Sequence, residues 1–390
     1  MKKIILFGFI AAAALAGCSK DETVKALPQE NAIEFGTYLG RDAMTKGVEL
    51  TNDNLLNFGV FASYTGQDNW ASSTGIYNFM YDQYVSRESK SDDWTYNPKK
   101  YWPTTKGDKI SFFAYAPHQD DATTTGIDVK TAQNEAGAPV ITYSIDAANL
   151  TTQADFTADV LMNQVRAGDN TTIDSEPRTV SFELLHELTR LNFTACLDRE
   201  AFGADAANKT KVNIKSIDFV KDGEFYTSAD YTFATENGKR GTWSNQTTAD
   251  LNIAGLLNTA TPDADDLGGY VVPGILLAGT TPVTLFKKTG ETANYLFLIP
   301  TDESGLETAG NVQIEVAYDI VTVDAALNAG HSCTPATKII DFPAGTLKQG
   351  VAYSFNLKFG LNEIILSASV VDWDTDDFEQ NVDWPKVDAE

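Results

Sequence analysis

Val351-Ala352-Tyr353-Ser354-Phe355-Asn356-Leu357-Lys358-Phe359 alternates with a period of two, turns at Gly360-Leu361-Asn362, and continues into Ile364 to Trp373. A period of two puts Val351, Tyr353, Phe355, Leu357 and Phe359 on one face of a strand. The second arm repeats the pattern through Ile364, Leu366, Ala368 and Val370. The pair therefore predicts two antiparallel strands.

Working outward, Val312, Ile314, Val316, Tyr318 and Ile320 alternate in the same way. Val212 to Val220, Tyr270 to Leu277, Val283 to Phe286 and Tyr295 to Ile299 are short β-rich runs bounded by Gly, Pro or Asp. Leu55 to Tyr64 places Phe58, Val60, Ala62 and Tyr64 on one face before Thr65-Gly66, and Val140 to Ile145 and Asp159 to Met162 are further short strands. Ile110-Ser111-Phe112-Phe113-Ala114-Tyr115-Ala116-Pro117 is apolar on both faces and stops at a proline, as the central strand of a sandwich does. Trp70, Tyr77, Phe79, Tyr81, Tyr84, Trp94, Tyr96, Tyr101 and Trp102 crowd between polar residues, a density that suits strand pairs.

Val180 to Leu197 is ambiguous. Val180, Phe182 and Leu184 alternate, and so do Leu191, Phe193, Ala195 and Leu197, but the two sets are out of phase. A bulge or kink near His186-Glu187 reconciles them as a bent strand or a strand pair. A helix is the rival, because Leu184, Leu188 and Leu191 recur at i, i+4 and i+7; the alternation at both ends favours strands. No long segment carries the 3.6-residue period. The expected fold is all-β, with two β-sandwiches in tandem.

Lys2 and Lys3 precede an apolar run, Ile4 to Leu15, too short to span a bilayer as a stable helix. It reads as a secretory signal, and Leu15-Ala16-Gly17-Cys18 matches a bacterial lipobox in which Cys18 is lipidated. Lys20-Asp21-Glu22 behind it looks like the surface-export signal of Bacteroidota lipoproteins. The expected organisation is residues 1–17 as signal peptide, 18–32 as lipidated tether, 33–172 and 173–377 as two sandwiches, and 378–390 as tail. The chain is thus expected at the outer membrane surface, held by its lipid.

Composition narrows the function. Lys+Arg of 29 against Asp+Glu of 54 gives a net charge of −25, which repels phosphate backbones and disfavours nucleic-acid binding. Of the three cysteines, Cys196 and Cys333 remain after Cys18, far apart in sequence, with their pairing open. No CxxC or Cys/His cluster suggests zinc, and no cofactor is expected. His186-Glu187 lacks the second histidine of HExxH, since position 190 is Arg, so His186 is expected to be hydrogen-bonded at the bulge. His118 and His331 stand beside loop signals, and no GxSxG nucleophile motif is present, so the chain is not expected to be an enzyme. Chance pairing among 54 acidic residues leaves a glycosidase as the third reading. Asp372, Asp374, Asp376 and Asp383 fall at calcium-loop spacing, but Asp377 stands where glycine belongs, so a solvated acidic tail is the expected reading. Asp263, Asp265 and Asp266 before Gly268-Gly269 are a weaker version of the same idea.

Several of these pieces, in order, resemble the fimbrillin family, the Mfa-like pilins and tip or anchor subunits of type V pili. They are the lipobox, Ile33-Glu34-Phe35 through Arg41-Asp42-Ala43-Met44-Thr45-Lys46-Gly47, Phe58 to Gly66, Ile110 to Pro117, Asp159 to Met162, Val180 to Phe193, and Gly350 to Trp373. The resemblance implies two transthyretin-like sandwiches and assembly with other fimbrial subunits by strand exchange. It implies that a protease cuts after an arginine, here Arg41, displacing the strand of Ile33, Glu34 and Phe35 so that a neighbour's strand fills the groove. Arg41 as a solvated loop residue is the competing reading. The tail with Phe378, Val382 and Trp384 is a candidate donor strand, though short and acidic. A tip or accessory role in attachment to a host glycan or protein follows from the resemblance. The alternative is a glycan-binding surface lipoprotein using the aromatic residues of 70–102 as a platform, against sandwich core.

Overall fold

The computed structural model describes residues 32–39, 49–120, 126–147, 150, 153–166, 179–198, 209–220, 225–289, 292–293, 295–301, 312–342, 347–360, 363–372 and 380–383. In chain order the strands are β1 (Glu34–Leu39), β2 (Asn57–Gly66), β3 (Met80–Ser86), β4 (Lys109–Ala116), β5 (Ile127–Val129), β6 (Val140–Ser144), β7 (Thr157–Gln164) and β8 (Thr179–His186). They continue with β9 (Thr189–Leu197), β10 (Thr210–Phe219), β11 (Phe225–Thr232), β12 (Thr242–Ala249), β13 (Ile275–Leu277), β14 (Val283–Thr284), β15 (Lys288–Thr289) and β16 (Thr292–Ala293). The remainder are β17 (Leu296–Leu298), β18 (Val312–Val323), β19 (His331–Phe342), β20 (Val351–Phe359), β21 (Ile364–Asp372) and β22 (Gln380–Asp383). The fold is all-β, built of sheets packed face to face.

The first large sheet has the order β1-β8-β7-β4-β2-β3. Every residue of β4 from Ile110 to Ala116 is buried, because the sheet is covered on both sides. Ile110, Phe112, Ala114 and Ala116 join a cluster with Phe58, Val60, Phe182, Tyr96 and Trp102, while Phe113 and Tyr115 join the larger core. That core is closed by a second sheet, β12-β11-β6-β5. Phe113 meets Phe233 edge to face at 5.8 Å, and Phe156 meets Tyr231 of β11 at 5.1 Å.

Two further sheets, β13-β10-β18-β19 and β14-β9-β20-β21-β22, carry the C-terminal half. They share a core in which Tyr318 of β18 meets Phe359 of β20 at 5.2 Å and Phe193 stacks on Phe355 at 5.5 Å. The β20–β21 pair forms in the expected antiparallel register, Val351 opposite Asp372 and Phe359 opposite Ile364.

Val180 to Leu197 is a strand pair. β8 ends at His186 and β9 starts at Thr189, and the two lie in different sheets. The break at Glu187 is fixed by polar contacts: its N–H donates to Phe156 O at 2.9 Å, and Trp243 Nε1 donates to its carbonyl at 3.1 Å. Gln349 donates to its carboxylate.

The sheets do not divide at residues 172/173. The strands flanking that point, β7 and β8, are antiparallel neighbours in one sheet, and β11 from the later half pairs onto β6 and carries β12 on its other edge. Position 172/173 thus falls between two strands of a single sheet. Tyr270 to Leu277 is strand only at its end, in β13, and β11, β12 and β19 were not expected. Cys196 is buried and Cys333 exposed, both as free thiols, so they do not form a bridge.

Candidate functional site

Among the described residues β1 is the edge strand that joins its sheet by parallel pairing, running Glu34 opposite Thr179 to Leu39 opposite Leu184. Its inward positions are Ile33, Phe35, Thr37 and Leu39, of which Ile33, Phe35 and Leu39 are buried, whereas Glu34 and Tyr38 are exposed. The alternation predicted by a half-buried edge strand is therefore present.

Beneath β1 lies an aromatic floor. Phe35 stands edge-on to Phe58 at 5.8 Å and to Phe112 at 6.4 Å, tilted against Tyr96 at 5.2 Å, and stacked on Phe182 at 6.0 Å. Val180, Phe182 and Leu184, the register partners of Phe35, Thr37 and Leu39, are all buried.

The strand ends are clamped from outside the sheet. Ile33 N donates to Lys100 O at 2.9 Å, and Tyr96 OH donates to Ile33 O at 2.8 Å. Burial holds the Tyr96 phenol above its ordinary range, so it stays protonated and remains a donor. At the other end the Asn52 side chain receives Leu39 N at 2.9 Å and donates to Leu39 O at 3.0 Å. Between these clamps the strand's backbone pairing, among the described residues, is with β8 alone. Without it, the backbone edge of β8 and the rings of Phe58, Phe112 and Phe182 would open together, a groove shaped for an extended segment.

At Glu49 and Leu50 the chain is anchored through contacts that do not involve β1. The Glu49 carboxylate pairs with Arg190 of β9, and Leu50 N donates to Asp155 Oδ2 at 2.9 Å. His186 Nδ1 lies 3.0 Å from the same Asp155 oxygen, which gives the histidine a buried structural partner at the β8–β9 break. Asp159 of β7 accepts from Glu183 N at 2.8 Å and Val160 N at 2.7 Å, yet burial pushes its carboxyl up to about 6.

The structure brings Ile33, Glu34 and Phe35 together as this strand. Cys18, Lys20, Asp21, Glu22, Arg41, Asp374 and Asp376 lie outside the described residues. Asp372 pairs with Val351 and Asp383 with Ser367, so the two aspartates sit at opposite ends of the β21–β22 overlap. Among the described residues no group of three or more His, Cys, Asp or Glu is placed to hold a metal. Of the aromatic stretch, Trp70, Tyr77, Tyr96 and Trp102 are core, and Arg87 covers Trp94 at 4.3 Å. His118 is buried against Asp82 at 3.3 Å and stacked on Tyr115, and His331 Nδ1 contacts Gly268 O at 2.9 Å. No helix among the described residues is long and apolar enough to cross a membrane.

Sequence reasoning missed Tyr96 and Asn52 as clamps. Each is an ordinary polar or aromatic residue whose partner is a distant backbone atom, and no local pattern marks it.

A family model described as fimbrillin-like matches residues 45–373. The fimbrium subunit Fim1C of Phocaeicola vulgatus is 27% identical over 396 aligned positions, covering 97% of this chain and 98% of the relative. A crystal structure of a fimbrial protein from Bacteroides vulgatus superposes with a TM-score of 0.65 at 24% identity, covering 88% of this chain and 99% of the other. The likeness extends over nearly the whole length of both.

Proposed function

The chain belongs to the fimbrillin-like family, structural proteins of cell-surface fimbriae rather than enzymes, and we propose that it enters its fimbrium by exchange of β1. In this reading the protein is exported and lipidated at Cys18, with Lys20, Asp21 and Glu22 directing it to the outer membrane surface. An arginine-specific protease then cuts after Arg41. The segment ending in β1 leaves, and a strand from another subunit takes the groove.

The observation that carries the reading is the edge position of β1. It is seated at an edge and clamped by side chains, and the chain beyond it is held by Glu49 and Leu50 through contacts β1 does not share. Loss of β1 would expose apolar rings and unpaired backbone together, and an added strand satisfies both. We place the subunit at the tip or in an accessory position, where it mediates surface attachment.

The test is to treat residues 19–390 with an arginine-specific protease, weigh the product intact, and run it unboiled. The reading predicts a cut after Arg41 and loss of the preceding segment. Clean monomer would support the tip or accessory position, and a detergent-resistant ladder would assign the subunit to the self-polymerising shaft. An Arg41 that stays uncut, or a β1 that never leaves after cutting, would contradict the reading.

A further inference from the structure

The inward face of β1 is buried and apolar at Ile33, Phe35 and Leu39, and the remaining position, Thr37, is polar. Thr37 stands opposite Phe182 in the parallel register, and Phe182 is flanked on the same face by buried Val180 and Leu184. The Thr37 hydroxyl is shielded from solvent and has no hydrogen-bond partner among the described residues. A hydroxyl that leaves water and gains no bond costs free energy that a methyl group in the same place would not. The resident strand also pairs in parallel, which is slightly weaker per residue than antiparallel pairing. On both counts β1 is a replaceable occupant of its own groove.

We propose that the Thr37 position is a specificity subsite of the groove. The strand that replaces β1 is an extended segment of another subunit carrying an aliphatic side chain there. This rests on the strand-exchange reading. Thr37 keeps the resident strand weak enough to leave, and an aliphatic residue on the incoming strand makes replacement downhill. Ile33, Phe35 and Leu39 define the neighbouring subsites, all of which ask for apolar side chains.

The experiment uses the chain cut after Arg41 and two synthetic peptides spanning residues 32–39, one native and one carrying Thr37→Val. Each competes against a fluorescent native peptide for the groove. The Thr37→Val peptide is expected to bind about tenfold more tightly, the ratio that corresponds to about 1.4 kcal/mol. Equal binding would overturn the subsite and leave strand exchange standing. Failure of both peptides to bind would overturn both. In the uncut chain, Thr37→Val is expected to raise the unfolding midpoint and, after cutting, to slow release of the strand; a lowered midpoint would contradict the proposal.

Discussion

Phe35 of β1 lies nearly parallel to Phe182 of β8, with ring centroids 6.0 Å apart and planes inclined by 19°. Phe58 closes on both rings, at 5.8 Å from Phe35 and 6.0 Å from Phe182. The first strand is thus bound to the sheet by one aromatic anchor. Truncating a buried phenylalanine to alanine typically costs about 3–5 kcal/mol. For Phe35→Ala that loss should appear locally, because elements at an edge open before the core does. Backbone amide exchange over Val180–Leu184 is expected to accelerate at least about tenfold, while β20 amides from Tyr353 to Leu357 stay unchanged. Equal acceleration in both would show that β1 is not a separable unit.

Tyr96 supplies a donor to the Ile33 carbonyl from outside the ladder. Tyr96→Phe leaves that buried acceptor without its phenol, at a cost of about 1–2 kcal/mol. Urea unfolding should show a lower midpoint with an unchanged slope. No change in midpoint would mean that the clamp contributes nothing.

Asp159 gives a pH dependence whose sign follows from burial. Its carboxyl is raised from 3.8 to about 6, so the folded protein holds a proton that the unfolded chain has released across that window. Stability attributable to Asp159 therefore falls as pH rises from about 4 to about 6, by on the order of 3 kcal/mol, and is flat above. Asp159→Asn removes this titration. Unfolding free energies measured across the window should be flatter in the variant, and identical slopes would refute the assignment.

Cys18 carries the proposed anchor. Cys18→Ala should move the protein from the membrane fraction to the soluble fraction of the cell envelope, with its fold intact by circular dichroism. Persistence in the membrane fraction would rule out Cys18 as the site of attachment.

Much of the fold is legible in the chain because strand burial writes itself as alternation. The β20–β21 pair and the doubly buried β4 are cases where side chains on each face share one environment. β19 escaped because it is an edge strand whose residues are largely exposed and include Pro335, so no period of two survives. β11 and β12 escaped for a related reason: β11 mixes Thr, Ser and Asp with its apolar residues, polar residues dominate β12, and β11 is recruited by pairing to β6, far away in the chain, with β12 added onto β11. Such non-local pairing also defeated the division at 172/173, since β8 is claimed by β1 and β7. In the groove, Ile33-Glu34-Phe35 was visible as a strand, whereas Thr37 was not singled out. A threonine in a strand looks the same in sequence whether its hydroxyl is solvated or buried.

The central claim, that β1 must leave before another strand enters, can be tested by locking the strand in place. A Cβ built on Gly36 would lie 3.7 Å from Ser181 Cβ, within the 3.5–4.5 Å range typical of disulfides. The chain carrying Gly36→Cys and Ser181→Cys, with exposed Cys333 changed to Ser, would be oxidised, cut after Arg41, and offered the fluorescent peptide of residues 32–39. The account predicts no peptide capture while the bridge is closed and capture once it is reduced. Capture to the same extent with the bridge closed would contradict it.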